Sequence, residues 1–97
     1  MHFAVIFAPE AVEDLHRLKA HIRGEVRAAI EAHLRYEPRK TSKSRIKRLR
    51  GVRRPQFRLR VGEIRVFYDV SSSAVEILAV VAKSKAESWL AQFANLA

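Results

Sequence analysis

Ninety-seven residues carry 19 Lys and Arg against 10 Asp and Glu, a formal net charge of +9, and no cysteine. That length bounds the chain to one domain, expected over residues 1 to 97, and to a modest core. The lack of cysteine excludes disulfides and thiolate metal ligands.

The charge is unevenly placed. Residues 35 to 65 hold 13 basic side chains and two acidic ones, Glu37 and Glu63, so that third of the chain carries +11 while the remainder sums to −2. A field of that asymmetry attracts polyanions, with nucleic acid the usual case. The apolar run from Phe3 to Ala8 is too short for the core of a signal peptide, and nothing approaches the length of a membrane span. A soluble, cytoplasmic protein with no membrane partner is expected.

Taken in chain order, Phe3 to Phe7 forms a short run of β-formers closed by Pro9, the pattern of a strand buried on both faces. Pro9 suits the first position of a helix, and Glu10, Glu13 and Asp14 place negative charge where the helix dipole favours it. Ala11, Leu15, Leu18 and Ile22 continue at helical spacing, and Gly24 marks a break before a second helix bearing Val26, Ile30, His33 and Leu34 on one side. Glu37-Pro38 ends that helix, so the pair reads as a helical hairpin laid on a sheet. From Arg39 to Pro55 only Ile46, Leu49 and Val52 are apolar, and a long solvated connection is expected.

The period then changes to two. Phe57, Leu59 and Val61 alternate with Arg58 and Arg60, and Ile64, Val66, Tyr68 and Val70 alternate with Arg65, Phe67 and Asp69. Gly62-Glu63 is the tight turn between these strands. A two-residue loop sets Val61 against Ile64, Arg60 against Arg65 and Arg58 against Phe67, which gathers three arginines on one face. Facing like charges destabilise a sheet by a few tenths to about 1 kcal/mol per pair, and a polyanion lying across them would relieve that repulsion. Ser71 to Ser73 makes a further turn, Val75 to Ala82 is nearly continuous apolar sequence, and residues 84 to 95 return to helical spacing through Ala86, Trp89, Leu90 and Phe93. The predicted fold is α+β in the order β-α-α-β-β-β-α, a small antiparallel-type sheet with the helical hairpin packed on it.

That order, with the basic run Lys-Arg-Leu-Arg-Gly at 47 to 51 followed by Phe-Arg-Leu-Arg-Val-Gly-Glu-Ile-Arg-Val-Phe-Tyr-Asp-Val at 57 to 70, resembles the RelE/ParE superfamily of toxins from type II toxin–antitoxin systems. The resemblance covers essentially the whole chain. RelE-like members are ribosome-dependent endoribonucleases that cut mRNA and stop translation, and ParE-like members inhibit DNA gyrase. Both are silenced by a cognate antitoxin, so a hetero-oligomer with an antitoxin is implied. By position Arg58 and Arg65 match basic residues that RelE-like toxins set against RNA. Gln56 stands where those enzymes often carry a lysine. Lys83-Ser84-Lys85 stands in place of a run with a functional arginine. The catalytic aromatic of the last helix falls near Trp89 or Leu90.

RNA cleavage through the neighbouring 2′-hydroxyl needs a base, a stabilised phosphorane and a proton for the leaving oxygen. The four histidines, His2, His16, His21 and His33, all precede the basic segment without an accompanying carboxylate cluster, and are assigned neither catalysis nor metal. Arg58 and Arg65 are the expected electrostatic catalysts. Lys83 and Lys85 are the expected proton carriers, since neighbouring positive charge lowers a lysine pKa whereas arginine stays protonated. Lys47, Arg48, Arg50, Arg53, Arg54 and Arg60 are expected to contact nucleic acid. No cofactor and no metal is expected. Ribosome and mRNA are the expected targets, DNA gyrase the alternative, and a non-catalytic nucleic-acid-binding module a third reading.

Overall fold

A computed structural model describes residues 2–96. Five strands form one mixed sheet in the order β1-β6-β5-β4-β2, where β1 is Ala4–Phe7, β2 Ile46–Arg48, β4 Phe57–Val61, β5 Ile64–Val70 and β6 Ala74–Ala82. β1 runs parallel to β6, and all other pairs in this sheet are antiparallel. Helices α1 (Pro9–Arg17) and α2 (Ala20–Leu34) bring Ala11, Leu15, Val26, Ile30 and Leu34 to the core, which joins them to the sheet side chains Phe57, Leu59, Val66, Tyr68, Val75 and Ile77. The α+β class and the helical hairpin on a mostly antiparallel sheet are as the sequence predicts.

Three local expectations are corrected. β1 is an edge strand rather than one buried on both faces. Its outward side leaves Ile6 52% exposed, because only Val5 and Phe7 reach the core. The break between the first two helices falls at Leu18 and Lys19, both extended, and not at Gly24, which lies inside α2 with no atom near its missing Cβ. Arg23 donates to the carbonyls of His16 and Leu18 at 3.4 and 3.5 Å, satisfying acceptors that the end of α1 leaves free. The apolar spacing runs unbroken across this joint, which is why periodicity alone hides it.

The segment from Arg39 to Pro55 is not simply a solvated connection. β2 within it pairs with β4, Ile46 opposite Leu59, and β3 (Val52–Arg54) pairs with β7 (Asn95–Leu96) in a second, two-stranded sheet. The last helix, α3, spans Lys83–Phe93, and β7 follows it. No helix among the described residues is long and apolar enough to cross a membrane.

β6 carries a bulge. Phe67 of β5 pairs with Ala79 and the adjacent Tyr68 with Ile77, so Leu78 is extra and the alternation of β6 changes phase there. Asp14 of α1 accepts a hydrogen bond from the Val80 N–H at 2.9 Å just past the bulge, which fixes α1 on the sheet. Tyr68 anchors the other end of the core. It is fully buried, its ring stacks on Phe57 at 5.4 Å between centroids, and its hydroxyl donates to the Pro38 carbonyl at 2.7 Å.

Burial raises the Tyr68 pKa well above the ordinary 10.0. The unfolded chain therefore releases this proton first, so the contribution of Tyr68 to stability is intact below pH 10 and is lost as pH climbs above it. Tyr68→Phe is expected to cost about 1–3 kcal/mol at neutral pH, by orphaning the buried Pro38 carbonyl, and to flatten the alkaline loss of stability. Urea unfolding of both proteins between neutral and strongly alkaline pH measures both effects.

Candidate nucleic-acid interface

The hairpin β4–β5 decides which side chains meet on the sheet face away from α1 and α2. Gly62 adopts φ +57° at the first turn position and Glu63 a negative φ at the second, the pattern of a type II′ turn that only glycine enters without strain. The resulting register is the predicted one: Val61 opposite Ile64, Arg60 opposite Arg65, Arg58 opposite Phe67. β2 extends the row by setting Lys47 opposite Arg58. Lys47, Arg58, Arg60 and Arg65 thus share one face, and among the described residues no carboxylate pairs with any of them.

The three arginines differ in freedom. Arg60 is exposed. Arg65 is only 6% exposed, and its Nη1 donates to the Gly62 and Ile64 carbonyls at 2.8 and 3.0 Å, so this guanidinium braces the turn as well as charging the face. Arg58 is half-buried, and its Nε is sealed from solvent without a hydrogen-bond partner. Burial foremost, then the charges of Arg65 and Arg60, lowers its pKa from the ordinary arginine range. Such a group is held charged at a cost that an incoming anion would offset.

The rest of the basic segment disperses. Arg48 pairs across from Phe57 on the opposite face, its guanidinium 5.1 Å from that ring's centroid. Arg54 is engaged by Asp69 at 3.1 Å and Glu76 at 3.0 Å. Arg50 and Arg53 are exposed on and beside β3. Lys83 and Lys85 are exposed in the first turn of α3, where the Lys83 N–H donates to the Glu63 carbonyl at 2.7 Å and so holds the helix start against the hairpin turn. His33 lies on α2 beside Arg45, and burial foremost, then that charge, lowers its pKa. Among the described residues no group of His, Asp and Glu is placed to hold a metal ion.

Two structural roles were not apparent from the sequence. Gln56 and Asp69 clamp β4 to β5 reciprocally: the Gln56 N–H donates to Asp69 Oδ1 at 2.7 Å, and Gln56 Oε1 accepts from the Val70 N–H at 2.8 Å. Phe67, on the arginine face, is completely buried because α3 covers it, with the Trp89 ring stacked on it at 4.9 Å and 6°. Trp89 and Phe93 therefore cap the sheet's second face and stand outside the main core. The alternation of Phe67 with Val66 and Tyr68 already places it beside the arginines; nothing in the local sequence says that Trp89 covers it.

A sequence model of the ParE toxin of type II toxin–antitoxin systems, parDE, matches residues 5–87. The chain belongs to the ParE toxin family. Solved structures share this family's fold. The RelE–RelB complex of Pyrococcus horikoshii matches with a TM-score of 0.71 and 25% identity over 89% of this chain and all of the other. The RelBE2 toxin–antitoxin complex of Mycobacterium tuberculosis matches at 0.69 and 28% over 84% and 92%. The RelB–RelE complex of Methanococcus jannaschii matches at 0.66 and 22% over 87% and 96%. No curated protein matches the sequence closely.

A toxin that places Arg60 against Arg65 sacrifices stability for charge. Arg60→Thr is therefore expected to stabilise the fold by a few tenths to about 1 kcal/mol while weakening binding to single-stranded nucleic acid. Thermal unfolding and a salt-dependent oligonucleotide titration of the same variant check the two signs, and the slope of log affinity on log salt should fall by nearly one contact.

Proposed function

We propose that the protein is a toxin whose working surface is the face bearing Lys47, Arg58, Arg60 and Arg65, and that it cleaves mRNA in the translating ribosome. The observation that carries this reading is the convergence of three guanidinium groups without a compensating carboxylate among the described residues. Fixed positive charge of this kind stabilises a phosphorane more than a ground-state phosphate, so it serves cleavage and not binding alone. The 2′-hydroxyl gives its proton to a base as its oxygen bonds to the adjacent phosphorus, the P–O5′ bond breaks to leave a 2′,3′-cyclic phosphate, and the departing 5′-oxygen takes up a proton. Lys83 and Lys85, exposed in the first turn of α3, are the proposed carriers. The ribosome's contribution is to hold the message in line.

The toxins of the two complexes with 28% and 25% identity are bound to RelB antitoxins in their crystals. By analogy a cognate antitoxin is the proposed regulatory partner here, and acidic side chains are the chemistry that would quiet the arginine face.

Inhibition of DNA gyrase is a second reading. It is favoured by the family that matches and by the final helix, where Trp89 is committed to a ring stack and Leu90 offers no proton.

Purified protein added to cell-free translation, with message ends mapped, separates the readings. Ribosome-dependent cuts within codons are expected, with Arg58→Gln reducing the cleavage rate about 100-fold or more at unchanged fold. Intact message, normal synthesis and loss of gyrase supercoiling would overturn the ribonuclease reading in favour of the second. Arg58 is the better probe than Arg65, whose replacement would also release the turn carbonyls.

A further inference from the structure

We infer that Phe67 is a covered platform for a nucleobase, and that Trp89 occupies the base's place until single-stranded nucleic acid displaces it. The inference rests on the reading that the arginine face grips phosphate.

Phe67 is fully buried yet lies outside the main core, on the opposite side of the sheet, between Arg58 on β4 and Ala79 on β6. This fully buried aromatic does not belong to the core that α1 and α2 build with the other face of the sheet. Its contact is the Trp89 indole, nearly parallel at 4.9 Å and 6°, with Phe93 tilted onto the indole at 5.6 Å and 38°. That is the geometry in which a nucleobase stacks on an aromatic side chain, and indole has the two-ring outline of a purine.

The cover is tied at its two ends, by the Lys83 N–H on the Glu63 carbonyl and by β7 on β3, and is weakly held between them. α3 has no fully buried residue and no side-chain cap at its N-terminus, and its first turn carries Lys83 and Lys85 with no acidic residue, against the helix dipole. A groove of about 410 Å³ separates α3 from α1, lined by Glu10, Asp14 and Leu78 together with Trp89 and Phe93. Directly opposed residues on neighbouring strands lie close enough for their side chains to touch. A base laid on Phe67 would therefore bring its own phosphate to Arg58, and the next one along the strand to Arg65. Stacking reads no base identity, so the platform would add affinity for unpaired nucleotides in general, and duplex, whose bases are already stacked, would be excluded.

Trp89 is the only tryptophan of the chain, so its emission reports the cover directly. The intact protein is titrated at low salt with a single-stranded oligodeoxynucleotide of about a dozen residues and with an abasic strand of equal length, which carries the phosphates without the bases. The base-bearing strand is expected to shift Trp89 emission to the red and to raise its quenching by acrylamide, and the abasic strand to bind without either change. Trp89→Ala is expected to tighten binding of the base-bearing strand about tenfold, and Phe67→Leu to reduce it to the abasic level. Unchanged emission at saturation, or Trp89→Ala weakening the base-bearing strand, would overturn the platform while leaving the phosphate grip standing. Binding of neither strand would overturn both.

Discussion

The register of the β4–β5 hairpin is the constraint on which the rest depends. Gly62 accepts a positive φ that other residues resist, the turn closes in two residues, and every pair down the ladder is then fixed. A slip of one residue would move Leu59, Val66 and Tyr68 out of the core and drive the arginines into it. The core thus enforces the same register that crowds Arg58, Arg60 and Arg65 together, and hydrophobic burial holds in place a charge arrangement that electrostatics opposes. Arg65 shows the accommodation. Its guanidinium turns back to two carbonyls of the turn, so part of the repulsion is absorbed in bracing the loop that creates it.

The second face of the sheet is organised in three zones along β5. Arg65 stands at the turn end with the start of α3 beside it, Phe67 occupies the centre beneath Trp89, and Asp69 stands at the far end, tied to Gln56 and Arg54. The bulge at Leu78 changes the phase of β6 between these zones, which keeps Val75, Ile77 and Val80 in the core while Ala79 stays on the second face beneath the aromatic stack. A small residue at that place leaves the ring of Phe67 free to stack.

Much of this could be read from the sequence. Alternation in 57 to 70 together with a two-residue turn gives the arginine face pair by pair, because the side-chain period of a strand admits no ambiguity once the turn length is known. Helical spacing places Leu15, Val26, Ile30 and Leu34 in the core for the same reason. What escaped is set by tertiary contact. The joint at Leu18 depends on Arg23 reaching across to α1, and β2 and β3 are three-residue strands whose existence rests on partners far along the chain. The candidate site divides likewise. Arg58, Arg60 and Arg65 follow from register, whereas the place of Lys47 beside Arg58 and the diversion of Arg48 to Phe57 and of Arg54 to Asp69 and Glu76 required knowing where β2 and β3 lie.

The separation of charge along β5 also acts at a distance. Arg65 and Asp69 are four residues apart on one strand, roughly 13 Å, with like-signed companions at each end: Arg60 and Lys83 near the turn, Glu76 beyond the centre. Arg54 tempers the acidic end, so the unpaired positive charge of this face gathers toward the turn. A polyanion would therefore be drawn first to the turn end of this face, where the open arginines stand. That pull would fade as added salt shortens the range of the field.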